Sequence, residues 1–272
     1  MPSIVLIRGG GDLASGIVLR LVRTGLRVVI TELPQPLAVR RTVAFAEAVY
    51  AGEITVEGLT ARVVQDPGDT LRILNILSKQ QLPVLVDARF ISAQSLHPTV
   101  IVDARMTKHS PEPIGYAPLL YLGLGPGFEA GKNCQAVVET RRGHTLGRVY
   151  WQGGSEADTG QPDPVQGHQS ERVLRAPADG EFIAHAALCD HLEPGQLIAE
   201  VSGQRVTAAF KGILRGLIHP GISVTKGLKV GDLDPRDDPA LCSHISDKAL
   251  SVGGGVLEAI LTRPEVRVTL WA

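Results

Sequence analysis

The sequence predicts an α/β fold: a Rossmann-like doubly wound parallel sheet, then a small β barrel-sandwich module and a helical tail. Three observations carry this. Short apolar runs alternate with amphipathic segments through the first half, a glycine-rich turn joins the first such run to the first helix, and glycines recur at a fixed offset in the second half. Residues 1–135 form the predicted α/β domain, 136–235 a β-rich domain with its repeat at about 176–235, and 236–272 the tail. At 272 residues the chain is long enough for two domains.

In order, Ser3–Arg8 (SIVLIR) is an apolar run that stops at Gly9-Gly10-Gly11. Leu13, Ala14, Ile17, Val18, Leu21 and Val22 then line one face of a helix that Gly25 closes. Arg27–Glu32 is a second strand, and Pro36–Tyr50 has a helical pattern with Pro at its start and Gly52 beyond its end. Glu53–Val64 holds two β-runs around Glu57-Gly58, a hairpin signal. Asp69–Lys79 is a helix with Asp69 as its cap. Val84–Val86, Val100–Val102 and Leu119–Leu122 are short, unalternated and rich in β-branched residues, as strands buried on both faces are.

Ligands of such sheets sit at the carboxyl ends of the strands. The first ends in Arg8-Gly9-Gly10-Gly11-Asp12-Leu13-Ala14-Ser15-Gly16, and Gly9-x-Gly11-x-x-Ala14 fits the dinucleotide fingerprint. In that reading the backbone N–H groups of Gly10, Gly11 and Asp12 hold phosphate and Arg8 supplies charge. Glu32, 21 residues after Gly11, takes ribose hydroxyls. The competing reading is a loop that only packs helix on sheet. Two later strand ends repeat each other, Asp87-Ala-Arg89 and Asp103-Ala-Arg105, with Lys108 and His109 just beyond. They form either a polar site or a pair of salt bridges trimming the sheet. Gly125 and Gly127, in a third glycine cluster, form either a second anion-cradling loop or a hinge.

In the second half, Glu139 and His144 are acid–base candidates set against a plain solvated turn. The segment 153–170 is polar, rich in Gly and Pro, and long for a loop. Gly180 and Gly195 are 15 apart, as are Gly212 and Gly227, and the copies are offset by 32. With Ser202-Gly203-Gln204 as the joining hairpin, this resembles the two-fold barrel-sandwich of biotinyl and lipoyl domains. Those domains carry a modified lysine at the hairpin tip; here the nearest, Lys211, lies in the following strand, so no carrier role is expected. In the tail, Gly253-Gly254-Gly255 interrupts the apolar spacing of Ile245–Leu261, either for close approach to another backbone or to start a fresh helix.

Composition narrows the function classes. Lys+Arg 27 against Asp+Glu 28 leaves a net charge of −1, which excludes nucleic-acid binding by bulk charge. Cys134, Cys189 and Cys242 contain no C-x-x-C pair, and no paired ligand motifs favour a metal. No long uncharged apolar run and no signal-peptide pattern is evident, so a cytoplasmic protein without a membrane partner is expected.

Together Arg8–Gly16, Thr31-Glu32, the paired Asp-Ala-Arg ends, Gly125-Pro-Gly-Phe128, Glu139–His144, Thr159-Gly160 and the repeat resemble the selenium-dependent molybdenum hydroxylase system protein family, the YqeB family. The resemblance implies an accessory role in maturing molybdenum hydroxylases related to xanthine dehydrogenase, and no defined chemical step. The leading expectation is therefore an accessory protein binding a nucleotide or other phosphate-bearing cofactor, of NAD(P) or molybdopterin-nucleotide type. A molybdenum hydroxylase or a second copy of the chain is the expected partner. An NAD(P)-dependent oxidoreductase, with Lys108, His109 or Glu129 moving the proton, and a non-catalytic scaffold are the alternatives.

Overall fold

The computed structural model describes residues 3–272. The chain forms two compact units. Unit 1 comprises residues 1–36, 44–158 and 245–272, and unit 2 residues 37–43 and 159–244.

Unit 1 begins with β1 (Val5–Arg8), α1 (Asp12–Arg23) and β2 (Val28–Glu32). A four-residue helix α2 (Ala48–Ala51) precedes the hairpin of β3 (Glu53–Val56) and β4 (Leu59–Val64). Glu57 and Gly58 both take positive φ there, as a tight two-residue hairpin turn demands. Next come α3 (Thr70–Ser78), β5 (Leu82–Val86), α4 (Ser92–Leu96) and β6 (Val100–Asp103). Asp69 accepts the Arg72 N–H at 3.0 Å and so caps α3. The remaining strands are β7 (Leu120–Leu124), β8 (Glu129–Ala130), β9 (Ala136–Val138), β10 (Val149–Tyr150) and β11 (Gly153–Gly154).

Nine of these strands make one sheet, ordered β10-β9-β7-β6-β1-β2-β5-β4-β3. Seven run parallel; β3 and β10 close the two edges antiparallel. Ile4, Leu6, Val29, Leu85 and Ile101 are fully buried in the core that this sheet supports, each contributing about 1.5–3 kcal/mol.

Unit 2 contains β12 (Val173–Arg175), β13 (Gly180–Ala184), β14 (His191–Leu192), β15 (Leu197–Val201), β16 (Gln204–Thr207), β17 (Gly212–Leu217), β18 (Ser223–Val224) and β19 (Lys229–Asp234). They form two four-stranded antiparallel sheets, β12-β19-β17-β14 and β16-β15-β13-β18. The short strand β14 pairs with β17 of the other copy, and β18 pairs back with β13. The two copies therefore interleave. A buried charge cluster ties the β19 end: Arg215 contacts Asp232 at 2.5 Å and Asp234 at 2.8 Å, and Arg236 contacts Asp234 at 2.6 Å. Burial works against the Asp234 charge, but Arg236 and Arg215 hold its carboxyl down at about 2. A single turn, α5 (Ala240–Ser243), ends the unit. The chain then returns to unit 1 as α6 (Asp247–Leu261) and α7 (Pro264–Trp271).

The predicted fold class is corrected by this topology. The molecule is a mixed α/β structure with a large, mostly parallel sheet plus antiparallel sheets, rather than a doubly wound Rossmann-like sheet followed by a barrel-sandwich and a tail. The link from β6 to β7 contains no helix, because 106–119 has prolines at 111, 113 and 118 and no helical period, and that from β7 to β9 holds only the short strand β8. α6, from the far end of the chain, packs on α1 instead and also touches β9 and β10. Gly253–Gly255 does not break α6, which runs on through all three.

The predicted helix over Pro36–Tyr50 is likewise replaced by single turns at Arg41–Val43 and Phe45–Glu47, then α2. Residues 37–43 bond to strand β17 instead. The Val39 carbonyl accepts the Leu217 N–H at 2.8 Å, and Arg41 Nε donates to the Leu217 carbonyl at 2.8 Å. Among the described residues no helix is long and apolar enough to cross a membrane.

Candidate functional site

In unit 1 the chain leaves β1 towards β2 and later adds β6 on the opposite side of β1. The β1–β6 boundary is thus the topological switch point, where a crevice opens beyond the carboxyl ends of the strands. The register pairs Arg8 of β1 with Asp103 of β6, so the two residues face that crevice together.

There they build a four-charge cluster. Asp103 is 1% exposed; it accepts from Arg105 Nε at 2.9 Å and Nη2 at 2.7 Å, and from the Tyr121 hydroxyl at 3.3 Å. Arg8 Nη1 lies 3.6 Å from Asp103. Glu112 accepts from Arg8 Nη2 and from Arg105 Nη1, the latter at 2.9 Å. The Arg8 guanidinium sits 4.5 Å over the Phe90 ring, a cation–π contact that fixes its plane. Its side chain is only 9% exposed, and Nη1 has no hydrogen-bond partner. Bonding to Arg105, with Arg8 adding attraction, overcomes desolvation and lowers the Glu112 carboxyl to about 2. Burial opposes the Arg105 charge, yet Asp103 and Glu112 outweigh it and raise its pKa. Tyr121 is raised by burial and by the neighbouring Asp103 charge.

The glycine loop lies beside this cluster. Gly9 takes φ +94°, and a Cβ there would press on the Arg105 backbone at 3.3 Å. The Gly10 N–H donates to Glu32 Oε1 at 2.6 Å, and the Leu33 N–H to Oε2 at 2.9 Å. Burial raises the Glu32 pKa, and these two backbone bonds pull it back only partly. Gly11 is the N-cap of α1, without a capping side chain and with open space where a Cβ would stand. Asp12 sits in the first turn of α1, and Ala14 is fully buried beneath it. Gly16 does not join the loop. It lies within α1, where a Cβ would run into the Ala249 backbone of α6.

Other predicted residues have structural engagements. Asp87 accepts the Ile91 and Ser92 N–H groups at 3.0 and 2.8 Å, which tethers the start of α4. The Asp87-Ala-Arg89 and Asp103-Ala-Arg105 ends are therefore not equivalent: Arg89 extends outward, exposed. Arg89, Arg8, Phe90, Gln94, Glu112 and Ile114 line a cleft of about 430 Å3. The Gly125 N–H donates to the Val138 carbonyl at 3.0 Å, and Gly127 lets the His109 backbone pass close by. That cluster packs loops together, so its predicted anion-cradling role is not retained.

Glu139 is fully buried and accepts three backbone N–H groups, from Thr140 and Arg141 at 2.7 Å and Glu156 at 2.8 Å. It organises the 140–156 loop. Lys108 pairs with Asp158 at 3.0 Å and Glu129 with Lys132 at 2.7 Å. Among the described residues no group of three His, Cys, Asp or Glu is placed to hold a metal ion.

Sequence reasoning missed Glu112, Phe90 and Tyr121. Glu112 is 104 residues from Arg8 and sits in a segment without periodicity, so no local pattern announces it. The Asp234-Pro-Arg236 end of β19 repeats the Asp103–Arg105 clasp, with Nε contacts of 2.9 Å in each. Glu112 is what distinguishes the first clasp.

A search of curated proteins finds an uncharacterized protein, YqeB, of Escherichia coli K12, 41% identical over 258 residues and 95% of this chain. The chain is thus similar to that protein over nearly all of its own length. The chain spans about half the length of that relative, 47%. No family model matches the chain. Among solved structures, an aspartoacylase family protein from Mesorhizobium loti shares 14% identity over 85% of this chain and 84% of its own, at a TM-score of 0.28. The apo ectoine utilization protein EutE from Ruegeria pomeroyi shares 12% over 85% and 86%, at 0.25. Neither likeness is close enough to carry an argument about this chain's fold or chemistry.

Proposed function

We propose that unit 1 binds a phosphate-bearing small molecule of nucleotide type at the carboxyl ends of β1, β2 and β6. The observation that carries this reading is Arg8: a guanidinium nine-tenths buried at the switch point, with Nη1 lacking a hydrogen bond. A buried donor without a partner is costly unless something completes it. Beside it Gly11 presents the open N-terminus of α1, which favours an anion. Glu32, held by the Gly10 and Leu33 amides, is the acceptor available to a ribose diol.

Arg8, Arg105, Gly11 and Asp12 thus form the phosphate end of the site, and Glu32, which already takes the Gly10 amide, the sugar end. Asp103 positions Arg105. Such a site binds and orients; its residues supply no general base aimed at a reacting atom, which favours an accessory role over oxidoreductase chemistry. The resemblance to the selenium-dependent molybdenum hydroxylase system proteins favours maturation of a molybdenum hydroxylase as the process this binding would serve.

The test is a thermal-shift panel on the full chain with NAD+, NADP+, ATP, CTP and molybdopterin nucleotides. At least one is expected to raise the melting temperature in a concentration-dependent way. No shift with any of them at millimolar concentration overturns the reading.

A further inference from the structure

The two carboxylates that hold Arg8 and Arg105 are not alike. Asp103 ends a central strand and is 1% exposed, whereas the Glu112 side chain is 51% exposed and lies between β6 and β7 in a segment without regular structure. Asp103 is fixed by the sheet. Glu112 is ion-paired to both guanidiniums, which it contacts as an oxyanion ligand would.

We propose that Glu112 is an internal stand-in for the ligand's anionic group, and that a dianion of the phosphate-monoester or terminal-diphosphate type displaces it. The proposal rests on the reading that unit 1 binds a phosphate-bearing molecule, and it names the subsite and the charge of the group admitted.

Charge decides the class. Arg8 and Arg105 against Asp103 and Glu112 sum to zero. Release of Glu112 leaves one positive charge. Arg89, exposed on the same cleft and without an ion pair among the described residues, brings it to two. A monoanion would merely repeat what Glu112 already does, with no gain for breaking its two contacts. A dianion satisfies both guanidiniums and has an oxygen left for Arg8 Nη1, which Glu112 leaves without a hydrogen bond. The Phe90 ring holds the Arg8 guanidinium in place while its partner is exchanged. Glu112 also lines a second cavity of about 760 Å3, with Pro111, Tyr121, Trp151 and Arg263. Its departure therefore opens the anion subsite towards room for the rest of a ligand.

The experiment compares the wild-type full chain with Glu112→Gln by calorimetric titration of pyrophosphate, inorganic phosphate and acetate. Glu112→Gln is expected to bind pyrophosphate about tenfold more tightly than wild type, because the ion pairs to both guanidiniums no longer have to break. Acetate affinity should change little, and Glu112→Gln combined with Arg105→Gln should lose the gain. Equal pyrophosphate affinity in both chains, or an equal gain for acetate, overturns the proposal. If neither chain binds pyrophosphate while a nucleotide stabilises the wild type, the stand-in role falls and the nucleotide reading survives. If no nucleotide stabilises the wild type either, the reading falls with it. Should Glu112→Gln fold poorly, Glu112→Asp, too short to bridge both guanidiniums, is expected to show a smaller gain in the same direction; no gain overturns the proposal.

Discussion

Gly16 of α1 and Gly253 of α6 meet backbone to backbone: a Cβ on Gly253 would sit 2.5 Å from the Gly16 carbonyl oxygen. The two helices thus cross closely enough that neither of these two positions has room for a side chain. Of the glycine run in the tail, Gly253 permits that approach, while Gly255 meets the Gly147 backbone instead.

Gly16→Val or Gly253→Val is accordingly expected to destabilise unit 1 by about 3 kcal/mol or more, since backbone rather than a flexible side chain occupies the space. Gly254→Ala, with nothing within 4 Å of its Cβ position, should instead stabilise by about 0.5–1 kcal/mol through helix propensity. Urea unfolding midpoints of the three variants check both signs.

Glu139→Ala should cost about 3 kcal/mol or more, because it leaves the N–H groups of Thr140, Arg141 and Glu156 without their acceptor. Glu139→Gln keeps an acceptor oxygen and should cost less. Amide hydrogen exchange is expected to rise first in 140–156, the loop that this carboxylate organises.

The strand–turn–helix at Val5–Arg23 was legible because it is local: apolar run, glycines and helical period all lie within nineteen residues. The Glu57-Gly58 turn and the Asp69 cap were legible for the same reason. What escaped depends on distance in sequence. Gly16 sits in a phosphate-loop pattern, yet its role is set by Ala249, more than two hundred residues away. Residues 37–43 have a helical pattern but bond to β17. Of the site, Arg8, Asp103 and Arg105 were visible at strand ends. Glu112 was not, since an acid in a proline-rich loop has no signature until the loop is folded over Arg8.

Acid should loosen both units. Glu112 and Asp234 each have a folded pKa of about 2, below their ordinary 4.5 and 3.8. A lowered carboxyl pKa contributes stability that is present above the ordinary value and is lost as pH falls towards the folded one. Stability should therefore be level with respect to these groups above pH 5 and drop between pH 4.5 and 2. Because Glu112 is half exposed, its share is the smaller. Unfolding midpoints measured at pH 6 and pH 3, with Asp234→Asn as the control that flattens the difference, check this.

Glu32 has the opposite sign. Burial raises its pKa, so its ionised form is disfavoured by folding, and the stability it contributes below pH 4.5 is lost as pH rises through the folded value. Glu32→Gln retains an oxygen for the Gly10 N–H and removes the buried charge. At pH 8 its melting temperature is expected to match or exceed wild type, while nucleotide binding weakens. A fall in melting temperature together with unchanged binding would show that Glu32 is structural.

In the proposed site Arg8 anchors a phosphate-bearing ligand at the end of β1. The most direct measurement is calorimetric titration of wild type and Arg8→Gln, side by side, with whichever nucleotide most stabilises the wild type. The predicted result is saturable binding by wild type and affinity at least about tenfold weaker in a folded Arg8→Gln, a loss of about 1.4 kcal/mol or more. Equal affinity in the two chains would contradict it.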